Sequence, residues 1–385
     1  MNELQKGTFR YDLNYLSGKD DKLTVLSGNE GRSQIIVSPK YQAKVFTATA
    51  EGLSGKSLGF INYRVLDSDV IDEHMNGYGG ENRFWLGPEG GTYSIFFERG
   101  KTQVYDNWHT PKPIDIETWE ITSANSKKVT FKKEMEVINY LGNLLALRAE
   151  RTVSLLEEAE IQSALGIEIP RGVNTVAYAT DNRIVNLDDF EWTAETGTIC
   201  IWILDMFHTS PEACTVVPFY DGNATDLGKI VTSDYFGEIP SDRLKIKDNV
   251  IYLKTDGKYR SKLGLNGKRT TAIAGNYDPV SGRLTVITYD VDREAVYLNQ
   301  EWDPAKDPLK GDAMNAYNDG PLEDGSIMGP FLEIESVSPA AFLKPTTSMS
   351  HKHTVYHFIG EEKDLNPIIG KLFGISASEI RTVFQ

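Results

Sequence analysis

Short runs rich in β-branched and aromatic residues recur along the chain, at Gln34–Val37, Tyr93–Phe97, Thr198–Phe207, Asn249–Lys254, Arg283–Tyr289 and His353–Phe358. Turn signals separate them: Asn29-Glu30-Gly31, Gly79-Gly80, Pro88-Glu89-Gly90-Gly91, Asp221-Gly222-Asn223, Asp256-Gly257, Asn266-Gly267, Ser281-Gly282 and Asn318-Asp319-Gly320-Pro321. Glycine and Asx residues tolerate the backbone conformations that tight turns require. Short strands punctuated in this way predict an all-β sandwich or barrel. No stretch repeats the strand-then-helix rhythm of a parallel α/β sheet.

Two segments carry a helical signal. Asn143–Ser163 is rich in Leu, Ala, Glu and Arg, which favours a helix by propensity. Period two instead places Leu145, Leu147, Ala149, Arg151, Val153 and Leu155 on one face, as in a strand. The tail Leu365–Phe373 sets Leu365, Ile368, Ile369 and Leu372 at helical spacing and predicts a short amphipathic helix. With no long linker, low-complexity tract or internal repeat, one β unit spanning residues 1–385 is the simplest organisation.

The 40% hydrophobic content supports a large core, and 25% charged residues is ordinary for a globular chain. Disorder, collagen-like repeats and a disulfide scaffold are excluded. Of the two cysteines, Cys200 lies in an apolar run and reads as a buried free thiol. The 40 Lys+Arg against 55 Asp+Glu give a net charge of −15. Such a chain repels polyphosphates, so nucleic acid is not expected and anionic membrane surfaces are poor partners, whereas neutral or cationic ligands are easier to accommodate. No window approaches eighteen consecutive apolar residues, so no membrane span is expected. The opening MNELQKGTFRYDLNYL lacks the apolar stretch of an export signal. The expected protein is soluble, either cytoplasmic or exported with its signal removed.

Candidate chemistry gathers in two places. His351, His353 and His357 fall at alternate positions of a strand and share a face, as do Glu333 and Glu335 upstream. If those strands are neighbours, a carboxylate–imidazole cluster results, suited to acid/base work or a metal ion. Otherwise they are exposed polar residues on an edge strand. Glu333 is flanked by Phe331, Leu332 and Ile334, a setting that raises a carboxyl pKa and demands a partner. The second place is Gly79–Gly91, where Asn82, Arg83 and Trp85 stand on glycine-freed backbone. Planar polar groups for hydroxyls beside an aromatic face are what a sugar site needs, although a turn around a core Trp has the same composition. Trp108-His109, Trp202 (read as core), His208, the turn around Asp256, and Asn315–Gly320 with Tyr317 are weaker candidates. HExxH, CxxC, GxSxG and Walker motifs are absent, which sets aside zinc peptidases, α/β-hydrolases, NTPases and redox enzymes.

On these residues the chain resembles the galactose-mutarotase-like superfamily, specifically an aldose-1-epimerase-related branch of unknown function common in gut Bacteroidetes. Carrying the resemblance are Gly80-Glu81-Asn82-Arg83-Phe84-Trp85, Asn315–Pro321 and the closing Gly329–Phe358 block. In that block Phe331-Leu332-Glu333 precedes Leu343-Lys344-Pro345 and a final strand. The order of elements matches along nearly the whole chain. By the resemblance, Arg83 and His109 are sugar contacts, Glu333 is the catalytic base, and Asp256 is an acidic sugar contact matched by order alone.

The sequence departs from the family in lacking the Asn-His dipeptide whose His is the general acid. That region reads Ile201–His208, where His208 can stand in by position only. The family's Pro-Gly turn is Pro345-Thr346 here. The implied fold is a β-supersandwich of large antiparallel sheets with a groove on one face, which makes Leu145–Leu155 a strand. The implied activity is mutarotation without a cofactor: Glu333 deprotonates the anomeric hydroxyl of a neutral mono- or oligosaccharide while His208 or His109 protonates the ring oxygen. The alternative is a non-catalytic glycan-binding protein on the same scaffold, with Arg83, Trp85 and Asp319 holding the sugar.

Overall fold

A computed structural model of the protein describes residues 5–68, 70–322 and 324–385. Alternating burial along the chain resolves into eighteen strands among these residues. They are β1 (Thr24–Gly28), β2 (Ser33–Ser38), β3 (Lys44–Thr49), β4 (Asn82–Gly87), β5 (Glu120–Ala124) and β6 (Lys128–Ile138). Next come β7 (Leu144–Leu156), β8 (Asn174–Asn186), β9 (Cys200–His208), β10 (Cys214–Pro218), β11 (Leu244–Lys247) and β12 (Val250–Lys254). The last are β13 (Ser261–Leu265), β14 (Ile273–Asp278), β15 (Arg283–Tyr289), β16 (Met314–Asn318), β17 (Phe331–Val337) and β18 (Ser348–Ile359). An eight-stranded sheet runs β1-β2-β3-β4-β9-β17-β16-β13, and a ten-stranded sheet runs β11-β12-β10-β14-β15-β18-β8-β7-β6-β5. The two-sheet antiparallel architecture expected from the sequence is the one observed.

At Leu144–Leu156 the period-two signal wins over helix propensity. Leu145, Leu147, Ala149, Val153 and Leu155 all point into the core between the sheets. The helical remainder starts only at Glu158, where Glu157 and Glu160 form a capping box around Glu158–Leu165. The C-terminal amphipathic helix is Glu362–Phe373; with Ala377–Thr382 it packs Leu365, Ile368, Ile369 and Phe373 against the outer side of the ten-stranded sheet. Tyr93–Phe97 is not a strand. It forms an isolated β-bridge at Phe97–Trp108, and Phe96 and Phe97 pack into an aromatic cluster with Trp108 and Trp302. Cys200 and Cys214 are buried free thiols. No helix among the described residues is long and apolar enough to cross a membrane.

Polar side chains bridge the two sheets at the centre of the core. Arg151, fully buried on the inner face of β7, donates to Asn182 Oδ1 at 2.7 Å, to the Ala43 carbonyl at 3.0 Å and to Asn82 Oδ1. Asn82 donates in turn to Asp205 Oδ1 at 2.6 Å. The other oxygen of Asp205 meets His353 Nε2 at 2.7 Å, and Ser336 Oγ joins His353 Nδ1 (2.7 Å) to His351 Nε2 (2.8 Å). A second bridge runs from Glu81 through His357 to Thr285. Buried polar groups require such partners, and these tie the strands of the two layers in register.

Candidate active site

In an antiparallel pair, directly opposed residues share a face. The register therefore fixes which side chains emerge on the outer side of the eight-stranded sheet. Tyr317 opposes both Glu333 and Lys262, Glu333 also opposes Met206, and Phe331 opposes His208. Across β9, Trp202 opposes Trp85, and Leu204 opposes both Arg83 and Glu335. One outward surface thus collects Arg83 and Trp85 from β4, Trp202 from β9, Glu333 and Glu335 from β17, and Lys262 from β13.

These charges are deeply set: Arg83, Glu333 and Lys262 are 6%, 7% and 7% exposed. Arg83 Nη2 donates to Glu333 Oε1, and its guanidinium lies 4.9 Å from the centre of the Trp85 ring. Glu335 accepts from Trp202 Nε1 at 2.9 Å and from Lys262 Nζ at 3.0 Å. Beside them Tyr317 donates to Asp319 Oδ1 at 3.0 Å, and Arg260 Nε donates to the Tyr317 hydroxyl at 3.3 Å. Burial pushes the Glu333 carboxyl up to about 7, with the Arg83 guanidinium opposing the rise and the Glu335 charge adding to it. Lys44, on the same outward side, is pushed down to about 7 by burial and by Arg83. A carboxyl poised near neutrality can accept and return a proton at physiological pH.

The other residues singled out in the sequence lie elsewhere. Asn82 alternates with Arg83, so its side chain faces the opposite way and serves the inter-sheet network. Asp256 is engaged by Arg243 and by the Lys258 amide at 3.1 Å. His109 is exposed, stacks on His74 at 4.8 Å and contacts the Glu73 carbonyl through Nδ1. His208 does share the outward face, edge-on to Phe60 at 5.8 Å, and packing together with Arg283 pushes its pKa down to about 4. It is therefore a neutral imidazole at pH 7.

The carboxylate–imidazole metal arrangement considered from the sequence does not form. Glu333 and Glu335 lie on β17 in one sheet, whereas His351, His353 and His357 lie on β18 at the middle of the other and point into the core. From β17 it is Ser336, which alternates with the two glutamates, that reaches His351 and His353. Among the described residues no group of three or more His, Cys, Asp or Glu can hold a metal ion. Sequence reasoning missed Lys262 and the polar role of Trp202. The one available signal was a lone lysine alternating with small and apolar residues in Ser261-Lys262-Leu263-Gly264-Leu265.

The fold is an antiparallel β-supersandwich with a buried Arg83–Glu333 ion pair on the outer side of its smaller sheet. The chain belongs to DUF6786, a family of unknown function whose profile matches residues 7–384. No functionally curated protein matches it. Among solved structures, it is similar to the Slr1438 protein from Synechocystis sp. PCC 6803, at 11% identity and a TM-score of 0.53, covering 93% of this chain and 99% of that one. It is also similar to a putative aldose 1-epimerase from Escherichia coli K12 and to a galactose mutarotase-like protein from Lactobacillus casei ATCC 334. Each of these is 10% identical with a TM-score of 0.49, covering 87% of this chain and 99% of the other. The Synechocystis likeness is one of fold.

Proposed function

We propose that the outward face around Glu333 is a carbohydrate site and that the protein is an aldose-1-epimerase-like enzyme acting on a neutral sugar. The observation that carries this is the buried Glu333 carboxyl, raised to about 7 and oriented by a guanidinium that itself rests on the Trp85 indole. In this reading Glu333 takes the proton of the anomeric hydroxyl and the C1–O5 bond breaks. Water supplies the proton that O5 takes up, the aldehyde end rotates, and the ring recloses on its other face as O5 gives that proton back to water and Glu333 returns its own to O1. Arg83 and Lys262 supply donors to hydroxyl oxygens, while Trp85 and Trp202 offer apolar surface.

Polarimetry on a panel of aldoses tests the reading. The wild-type protein is expected to speed mutarotation with a rate that rises through about pH 7 as Glu333 ionises. Glu333→Gln is expected to lower that rate by about 10²–10⁴-fold, the usual contribution of a positioned acid–base group, with sugar affinity nearly intact. A wild-type rate no faster than buffer for every aldose sinks the enzymatic reading. The runner-up is glycan binding without turnover, and His208 favours it: a histidine held at about 4 carries no imidazolium proton to donate at pH 7. That reading predicts sugar binding that Arg83→Ala weakens, with no catalysed interconversion.

A further inference from the structure

Three buried N–H donors along the outward side of β4 have no acceptor: Arg83 Nε, Trp108 Nε1 and Gln300 Nε2. Arg83 belongs to the strand itself. Trp108 lies against Trp85, two positions along, with ring centroids 6.5 Å apart. Gln300 covers Gly87, two positions further, where an added Cβ would meet its Oε1 at 2.8 Å. Same-face positions on a strand are about 6.7 Å apart, so Arg83, Trp85 and Gly87, the β4 positions beside which the donors lie, span about 13 Å. Unpaired buried donors are rare in native proteins, and each calls for an explanation. Three in a row beginning at the Glu333 ion pair point to a ligand that brings the acceptors.

An aromatic wall borders the row. Trp108 stacks on Trp302 (5.9 Å, 24°) and on Tyr105 (6.1 Å, 21°), and Tyr105 is 57% exposed, so the wall runs from solvent to the row. Hydroxyl and ring oxygens supply acceptors to such donors, and the C–H faces of pyranose rings suit such a wall. The row is longer than one pyranose ring. We infer that the outward side of β4 is an extended subsite for an oligosaccharide of two or three residues. One end of the chain sits at Glu333, and the rest passes Trp85 and Trp108 to Gln300. This rests on the sugar-site reading above and commits it to a chain rather than a free monosaccharide. The three donor atoms are closed to solvent, so occupation requires the segments carrying Trp108 and Gln300 to part from β4.

The test is a glycan array of mono-, di- and trisaccharides of glucose, galactose, mannose and xylose, followed by calorimetric titration of the best-bound series. The trisaccharide is expected to bind at least about tenfold more tightly than its monosaccharide. Trp108→Phe and Gln300→Leu should each shrink that preference about fivefold, the effect of one hydrogen bond. Both variants are expected to lower Tm somewhat, since Gln300 Oε1 accepts from the Glu89 amide at 3.2 Å and Trp108 packs in the core, so the length preference and not Tm decides. A lower Tm with an unchanged length preference would assign both residues to structure alone and overturn the inference. Equal affinity for monosaccharide and trisaccharide also overturns it while leaving the sugar site standing. An array with no bound glycan overturns the subsite, and the sugar-site reading falls with it when polarimetry is negative too.

Discussion

Glu335 is almost fully enclosed, 1% exposed, and it is balanced by the Trp202 N–H and the Lys262 ammonium. Removing one partner of a buried ion pair strands the other charge, which typically costs about 3–5 kcal/mol. Lys262→Met is therefore expected to lower stability by that order, read from urea midpoints. The same variant removes a positive charge that stabilises ionised Glu333. The rate-against-pH limb should then move upward from about pH 7, and an unmoved limb would show that Lys262 does not act on Glu333. Glu333 was legible in the sequence because apolar neighbours on both sides mark a buried carboxyl. Lys262 was not, because its neighbours do not reveal that Glu335, seventy-three positions away, lies beside it.

At the level of elements, periodicity was the reliable guide and local propensity the misleading one. The faces of Leu144–Leu156, of the C-terminal helix and of the histidine strand all follow from spacing. What spacing does not encode is which strands lie side by side. The glutamates of β17 and the histidines of β18 are adjacent in sequence yet belong to different sheets, so the cluster they suggested is absent. The Glu362–Phe373 helix shows how closely such layers fit. Phe373 fills the space above Gly275, where an added Cβ would meet its ring at 2.5 Å. Phe373→Ala leaves a cavity there and is expected to cost about 3–5 kcal/mol. Thermal melts check this, and a change below about 1 kcal/mol would mean that the helix is not docked as described.

For the molecule as a whole, two histidines weaken the fold towards acid, while the buried carboxyls Asp12, Asp115, Asp312 and Asp319, all pushed up by burial, oppose them. Burial pushes His351 down to about 3, with His353 adding to the effect, and His208 is down at about 4. In the unfolded chain both titrate near ~6.5. Their folded values lie below their unfolded ones, so stability is intact above about pH 6.5 and is lost as pH falls towards 4 and 3, because only the unfolded chain takes up the protons. At pH 5 the loss is roughly 2 kcal/mol for each histidine. Glu333 has the opposite sign: its raised value gives a contribution present below ~4.5 that is lost as pH rises through about 7. Urea midpoints at pH 7.5 and 5.0 decide the balance, and the two histidines predict a lower midpoint at pH 5.0. Proton NMR of the imidazoles in the folded protein checks the histidines directly, and titration of either ring above pH 5 would show that it is not held neutral.

The ion pair at the centre of the site joins Arg83 to a residue 250 positions later. Closing so long a loop costs little more free energy than closing one half its length, because the entropy grows only logarithmically. The search for the contact is nevertheless slow, since non-local strand pairing limits the folding of β-rich chains. During synthesis β1 to β4 can pair while Arg83 has no counter-charge, and the carboxylate that completes the pair emerges only with β17. The ion pair proposed to carry the chemistry is thus completed in one late step, and a chain stopped short of residue 333 lacks the strand that joins β9 to β16 and β13, so its smaller sheet is left in two pieces.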